Sequence, residues 1–198
     1  MPRLKSTSKA DKSHSLSAAD WTAAAMEAIV TGGLTDVAVE PLAVRLGTTK
    51  GSFYHHFKNR DALIAAALED WEKSQTEAVI ERLRLLPDPR ERLRAVIAAA
   101  FADRPGGIRD AALLAAAGNP LVQPIVKRVT ARRLRYFTEM YVELGLPRLR
   151  ARRRALTLYL AYIGVFDCLR LGLIEMSDAE LRAHAYEVLE TLVPSRSR

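Results

Sequence analysis

The chain has 198 residues, 49% of them hydrophobic, enough for one globular domain of ordinary size or for a small module joined to a larger one. A single cysteine, Cys168, excludes an intrachain disulfide and a cysteine-held zinc and fits a reducing, cytoplasmic setting; neither an export signal nor a membrane-length apolar run is indicated. The net charge of +7 is uneven, with +3 in residues 1–60, −2 in 61–126, +8 in 127–154 and −2 in 155–198.

Residues 1–15 are rich in Ser, Lys and Thr, lack apolar periodicity and read as a disordered basic arm. Ser17 is a candidate cap for SAADWTAAAMEAIVTGG, a helix with Trp21, Ala25, Ala28 and Ile29 on one stripe and Gly32-Gly33 at its end. A short second helix, VEPLAVRLG, carries Pro41 in its first turn and stops at Gly47. Thr49 can cap a third, from about Lys50 to His56, and Asn59 a fourth that begins RDALIAAALEDWEKS.

The remainder is equally helical. PDPRERLRAVIAAAFAD starts at a proline-marked turn, and IRDAALLAAAG ends at Gly118-Asn119-Pro120. PLVQPIVKRVTARRLRYFTEMYVELG runs to Gly145, RARRRALTLYLAYIGVFDCLRLG to Gly172, and Ser177 caps DAELRAHAYEVLETLV. No alternating strand pattern and no solenoid repeat occurs, so the expected fold is all-α with about nine helices.

Chemistry concentrates in residues 48–63, TTKGSFYHHFKNRDAL. On a helix, residues 51, 54, 55 and 58 share one face, and Phe53 and Phe57, four apart, share another. The phenylalanines would anchor the helix on Trp21, Ile29, Leu42 and Leu46, leaving Gly51, Tyr54, His55 and Lys58 outward. Such a face suits a DNA major groove, with backbone N–H groups and lysines on phosphates and side chains on base edges. A metal site is disfavoured: His55 and His56 point about 100° apart, and no carboxylate or histidine four residues away completes a ligand set. A catalytic reading lacks support too, because no Gly-x-Ser-x-Gly elbow, phosphate loop or His-Glu-x-x-His is present.

Residues 16–63 resemble the tetracycline-repressor (TetR) family of bacterial transcriptional regulators. The spacing of the Gly33 turn, Leu42-Ala43, Leu46-Gly47, Tyr54-x-x-Phe57-Lys58 and Leu63 carries the resemblance. It implies three domains of organisation: the arm 1–15, a three-helix DNA-binding domain 16–62 with a helix-turn-helix over residues 39–56, and a helical ligand-binding and dimerising domain 63–198. By matched position, Thr48, Thr49, Lys50, Gly51, Ser52, Tyr54 and His55 would face DNA, with Lys58 on a phosphate; His56 is left open. The chain departs from the pattern at Val39-Glu40-Pro41, where many relatives carry DNA-touching threonine and arginine, and no contact is carried over to Glu40, whose carboxylate would repel phosphate.

The implied protein is a homodimeric repressor, not an enzyme, with no metal or cofactor. Its partners would be a palindromic double-stranded DNA operator and a small effector that releases it. Residues 151–171 are apolar over much of their circumference and, with the last helix, form the expected four-helix dimer interface. Phe101, Leu114, Phe137, Met140, Tyr141, Tyr159, Tyr162 and Phe166 are candidates to line an effector cavity with few inward charges, which suits a largely apolar or aromatic ligand. Arg128, Arg132 and Arg135 form a stripe opposite Ile125, Val129 and Phe137, the pattern of a solvated face, part of it to be neutralised by partner helices or by acidic residues such as Glu180, Glu187 and Glu190; a second nucleic-acid patch is the alternative.

Overall fold

The computed structural model describes residues 16–194, and every regular element among them is helical. The reading of residues 1–15 as a basic arm lies outside the described residues.

Helix α1 (Ala18–Gly32) opens with a capping box, Ser17 and Asp20 each satisfying the other's free backbone N–H. Helices α2 (Val39–Arg45) and α3 (Lys50–His56) are joined by a turn at Gly47, whose φ of 64° is one that a side chain would strain. In that turn Thr48 N donates to Ala43 O (2.9 Å) and Gly47 N to Val44 O (3.1 Å), the paired bonds of a Schellman ending. Thr49 then caps α3 by accepting from Ser52 N, and Asn59 caps α4 (Arg60–Glu72) by accepting from Ala62 N at 2.8 Å. These caps are the ones the sequence predicts.

Helix α4 continues through a π-helical turn, Lys73–Glu77, into α5 (Ala78–Arg84), so the three segments form one continuous rod. There follow α6 (Pro89–Ala102), α7 (Arg104–Ala115), α8 (Gln123–Glu143), α9 (Arg148–Arg170) and α10 (Asp178–Leu192), the last opened by a Ser177–Glu180 capping box. With the rod counted once and the two short 3-10 turns set aside, the described residues contain nine helical bodies, as expected.

Two boundaries and one irregularity differ from expectation. Helix α7 begins at Arg104, not at Ile108, because Asp103 accepts from Gly106 N at 3.1 Å and the adjacent Gly106-Gly107 pair is packed into the first turn instead of breaking it. Helix α8 begins at Gln123, after a turn in which Asn119 Oδ1 accepts from Leu121 N at 2.9 Å. The π turn has no simple signature in KSQTE; its geometry follows from packing against α8, described below.

Two apolar clusters organise the chain. The first joins Trp21, Ile29, Leu42, Phe53, Phe57 and Leu68 and runs on into Val122, Val126 and Val129 of the α8 end. Trp21 and Phe53 are both fully buried and meet edge to face, ring centres 5.3 Å apart, a pairing worth about 1 kcal/mol beyond the area it removes from water. The second cluster centres on Leu93, Phe101, Met140, Tyr141, Phe166 and Leu181. Helix α4 and its fully buried Leu63, Ile64 and Leu68 thus seat the three N-terminal helices on α7 and α8 through shared apolar surface.

Candidate functional site

Helix α3 has the two-sided character that its sequence predicts. Phe53 is fully buried and Phe57 nearly so, whereas Lys50, Gly51, Tyr54, His55 and Lys58 are exposed. The ring of Tyr54 rests edge-on against Phe53, centres 5.1 Å apart, so its hydroxyl is presented outwards from a fixed base. Thr49 is exposed while its hydroxyl caps the helix; Thr48 and Ser52 are half-buried. Lys58 lies in the bend just before the Asn59 cap. A Cβ built on Gly51 would meet only Thr49 Oγ1, at an ordinary 3.5 Å, so nothing inside the protein requires a glycine there. What it provides is a place where another molecule can approach the helix backbone closely.

Three interactions around this face were not legible in the sequence. Glu40 of α2 forms an ion pair with Lys50 across the turn, and the pairing holds the Glu40 carboxyl below and the Lys50 amine above their ordinary ranges. His56, left open above, is turned away from the exposed face: its Nε2 lies 3.0 Å from Leu16 O and ties the end of α3 to the start of α1. Arg60 reaches back from α4, Nε donating to Val37 O at 2.6 Å and Nη2 to Leu34 O, and so fixes the α1–α2 connection. Its only sequence signal is a basic residue next to a cap.

Part of the arginine-rich segment is neutralised from neighbouring helices, by acidic residues other than Glu180, Glu187 and Glu190. Arg128 Nε lies 2.9 and 3.1 Å from the two carboxylate oxygens of Glu72, and Arg132 pairs with Glu77, so the partners stand on α4 and the π turn. Burial alone would raise the Glu72 carboxyl, but the Arg128 hydrogen bonds prevail and hold it low. Glu180 is engaged in the Ser177 capping box. Arg133 is not on the surface at all: it is 9% exposed, and its guanidinium pairs with Asp110, 4% exposed. Few inward charges were expected; a buried ion pair is found.

That pair borders a partly open cavity of about 270 Å³ lined by the π turn, α5, α6, α7, α8 and α9. Of the eight candidate lining residues, Phe101, Phe137, Tyr159 and Tyr162 line it. Leu114 packs instead against the N-terminal cluster, Met140 and Tyr141 are fully buried in the second core, and Phe166 stands behind Phe101 and Tyr162. Helical periodicity marks a side chain as inward but does not separate cavity wall from solid core. Cys168 is half-buried on α9 and is not among the cavity residues. No cluster of metal-ligating side chains occurs among the described residues.

Comparison with known proteins agrees with this geometry. Residues 22–67 match the family described as bacterial regulatory proteins, tetR family. The HTH-type transcriptional regulator BetI of Klebsiella pneumoniae is 32% identical over 119 residues, 56% of this chain and 60% of that protein. Its Escherichia coli counterpart is 31% identical over 80 residues, 39% of this chain and 41% of that protein. The chain thus matches less than two thirds of the length of these relatives. Among solved structures, the FadR regulator of Bacillus subtilis in complex with stearoyl-CoA superposes with a TM-score of 0.70 at 19% identity, over 89% of this chain and 98% of that one. A TetR-family regulator from Agrobacterium tumefaciens does so at 0.71 and 20%, over 89% and 97%. At such identities the likeness speaks to the fold, and it extends over both halves of the molecule. Residues 22–67 thus carry a helix-turn-helix of the TetR type, and the chain as a whole is similar in fold to TetR-family regulators.

Proposed function

We propose that the protein is a homodimeric, cytoplasmic repressor that binds a palindromic operator through α3 and releases it when a small, largely apolar or aromatic effector enters the C-terminal cavity. Residues 16–62 act as the DNA-binding domain and 63–198 as the effector-binding and dimerising domain. The observation that carries the reading is the exposed face of α3, with Tyr54, His55, Gly51 and Lys58 outward from the buried anchors Phe53 and Phe57. Thr48, Thr49, Lys50 and Ser52 complete the interface at the helix start, where free N–H groups favour a phosphate.

Dimerisation is supported by an unpartnered apolar stripe on α9. Leu149, Leu156 and Leu160, at spacings of seven and four, are 63%, 45% and 56% exposed on a helix whose opposite side is buried. A two-fold dimer would cover the stripe and bring two α3 helices to half-sites about one DNA turn, or a multiple, apart. Release then requires that the effector bind the free conformation more tightly than the DNA-bound one. The continuous rod from α4 to α5 is the natural lever, since it both seats the N-terminal helices and walls the cavity. No helix among the described residues is long and apolar enough to cross a membrane.

The test is fluorescence anisotropy with DNA from the region upstream of the protein's own gene. Specific, salt-sensitive binding is expected, weakened at least about tenfold by Tyr54→Ala or Lys58→Ala with unchanged thermal unfolding. Binding indifferent to both substitutions would remove α3 as the reading helix.

A further inference from the structure

The cavity wall is mostly apolar, with Val96, Ile97, Phe101, Phe137 and Leu158 among its side chains, and its volume of about 270 Å³ suits a compact molecule. Its buried charge is confined to one place. Asp110 Oδ2 accepts from Arg133 Nη1 and from the Tyr162 hydroxyl at 3.2 Å, and Oδ1 accepts from Trp71 Nε1 at 2.7 Å. Arg133 also donates from Nε to Thr76 Oγ1 (3.0 Å) and from Nη2 to Gln75 O (3.1 Å). The carboxylate has therefore used most of its acceptor capacity, whereas the guanidinium has used three of its five N–H groups. Tyr136 lines the cavity with its ring only: its hydroxyl is buried and is felt by Arg92, Arg84 and Glu143, which are not cavity residues, so the spare donors are those of Arg133. At the exposed rim, Arg82 and Asp103 contribute one charge of each sign.

A cationic ligand brought to this wall would face Arg133 beside an already satisfied carboxylate. An anionic one would set a second negative charge against a single guanidinium that Asp110 already neutralises. Either ion would lose its water for an environment that lacks an uncompensated counter-charge. An uncharged oxygen acceptor, by contrast, can take the spare donors at no such cost. Burial, reinforced by Asp110, pushes the Tyr162 phenol far above its ordinary range, so it remains a neutral donor at physiological pH.

We propose that this cavity selects a compact, uncharged, mostly aromatic molecule carrying an oxygen acceptor, such as an aryl ester or ketone, and that the self-compensated Asp110–Arg133 pair is what rejects charged analogues. The proposal rests on the reading of the C-terminal half as effector-binding and specifies the class of effector. Calorimetric titration of the full chain with methyl 2-naphthoate, 2-naphthoate and 2-naphthylmethylammonium holds the bicyclic body constant and varies only the head group. The ester should bind at least about tenfold more tightly than either ion. The double variant Asp110→Leu with Arg133→Met, which removes the charges and keeps the volume, should bring ester and ions within about threefold of one another. An ion that binds as well as the ester, no ester binding at millimolar concentration, or selectivity retained in a folded double variant would overturn the proposal; the first two decide it even if the double variant fails to fold. Specific DNA binding measured in parallel without any naphthalene separates the two ideas: if it persists while the selectivity fails, only the effector class is wrong, and if it is missing the regulator reading itself falls.

Discussion

Trp71 Nε1 donates to Asp110 Oδ1 over 2.7 Å, and this buried bond links the rod that carries the N-terminal helices to the wall of the C-terminal cavity. The same carboxylate holds Arg133, whose guanidinium also lies over the Trp71 ring, 5.4 Å from its centre. Burial would lower the Arg133 pKa, but the Asp110 charge and hydrogen bond outweigh it and keep the group ionised. The expected consequence is asymmetric. Asp110→Ala leaves a desolvated guanidinium unpaired and should cost about 3–5 kcal/mol. Trp71→Phe removes one donor from a carboxylate that keeps two others and should cost only about 1–2 kcal/mol. Urea unfolding of the two variants measures both, and equal costs would show that the pair is less isolated from water than its burial implies.

Two glycines make a matched contrast. A Cβ on Gly107 would overlap the fully buried ring of Phe166, so α7 and α9 approach closely only because residue 107 has no side chain. Gly107→Ala should destabilise the protein by about 1–3 kcal/mol, the usual cost of overpacking. A Cβ on Gly51 would make only an ordinary contact with Thr49 Oγ1, so Gly51→Ala should be neutral or stabilise α3 by up to about 1 kcal/mol through helix propensity, while weakening the proposed DNA binding. Thermal unfolding and anisotropy on the same two variants separate packing from recognition.

How far such features can be read from sequence depends on the range of the interaction that fixes them. The caps Ser17, Thr49, Asn59 and Ser177 bond to N–H groups three residues away, so local spacing announces them. The split of α3 into buried Phe53 and Phe57 and exposed Tyr54 and His55 is also local, since residues four apart share a face. Arg133 is different: its spacing from Val126, Val129, Tyr136 and Met140 puts it on the buried face of α8, but nothing local shows what satisfies its charge there, because Asp110 stands 23 residues earlier on another helix. The π turn is of the same kind, because the Arg133 bonds to Gln75 O and Thr76 Oγ1 come from another helix. Gly106-Gly107 reads locally as a break and is helical because Phe166 needs the space.

Tyr141 is fully buried, its hydroxyl without a hydrogen-bond partner among the described residues, and burial pushes its phenol up to about 12 against a smaller opposing pull from Arg154. The folded state therefore holds this proton more tightly than the unfolded chain. Its contribution to stability is complete below an unfolded value of about 10 and is lost as pH rises through the folded one, at about 1.4 kcal/mol per pH unit. The raised Tyr162 phenol acts in the same direction. Urea unfolding from about pH 9 to pH 11 should show falling stability, and Tyr141→Phe should flatten the slope. A variant that loses stability as steeply as the parent would place the alkaline transition elsewhere.

Leu156 and Leu160 lie one turn apart on the exposed stripe of α9 and are the positions where charge should separate the subunits. Leu156→Glu with Leu160→Glu adds no buried charge within a single chain, so the monomer should keep its helicity and cooperative unfolding. Sedimentation should change from dimer to monomer. Operator affinity should fall by at least about a hundredfold, because one α3 helix then reads a single half-site. A double variant that stays dimeric would place the interface on another face.

Glu40 bears on recognition itself. Its carboxylate holds Lys50 at the N-terminus of α3, so the lysine expected to meet phosphate is already partnered across the turn, by a group that phosphate repels. Glu40→Gln removes the repulsion and frees the amine. Operator affinity should rise several-fold, and the slope of log affinity against log salt should steepen by about 0.9 for each Lys50 newly placed on a phosphate. Both partners are exposed, so folding stability should scarcely change. Anisotropy titrations across a range of salt concentrations decide the matter, because the two roles open to Glu40 differ in sign. If the carboxylate instead accepts from a cytosine amine at a base edge, Glu40→Gln lowers affinity for the operator at unchanged salt slope and relaxes the preference at that base pair.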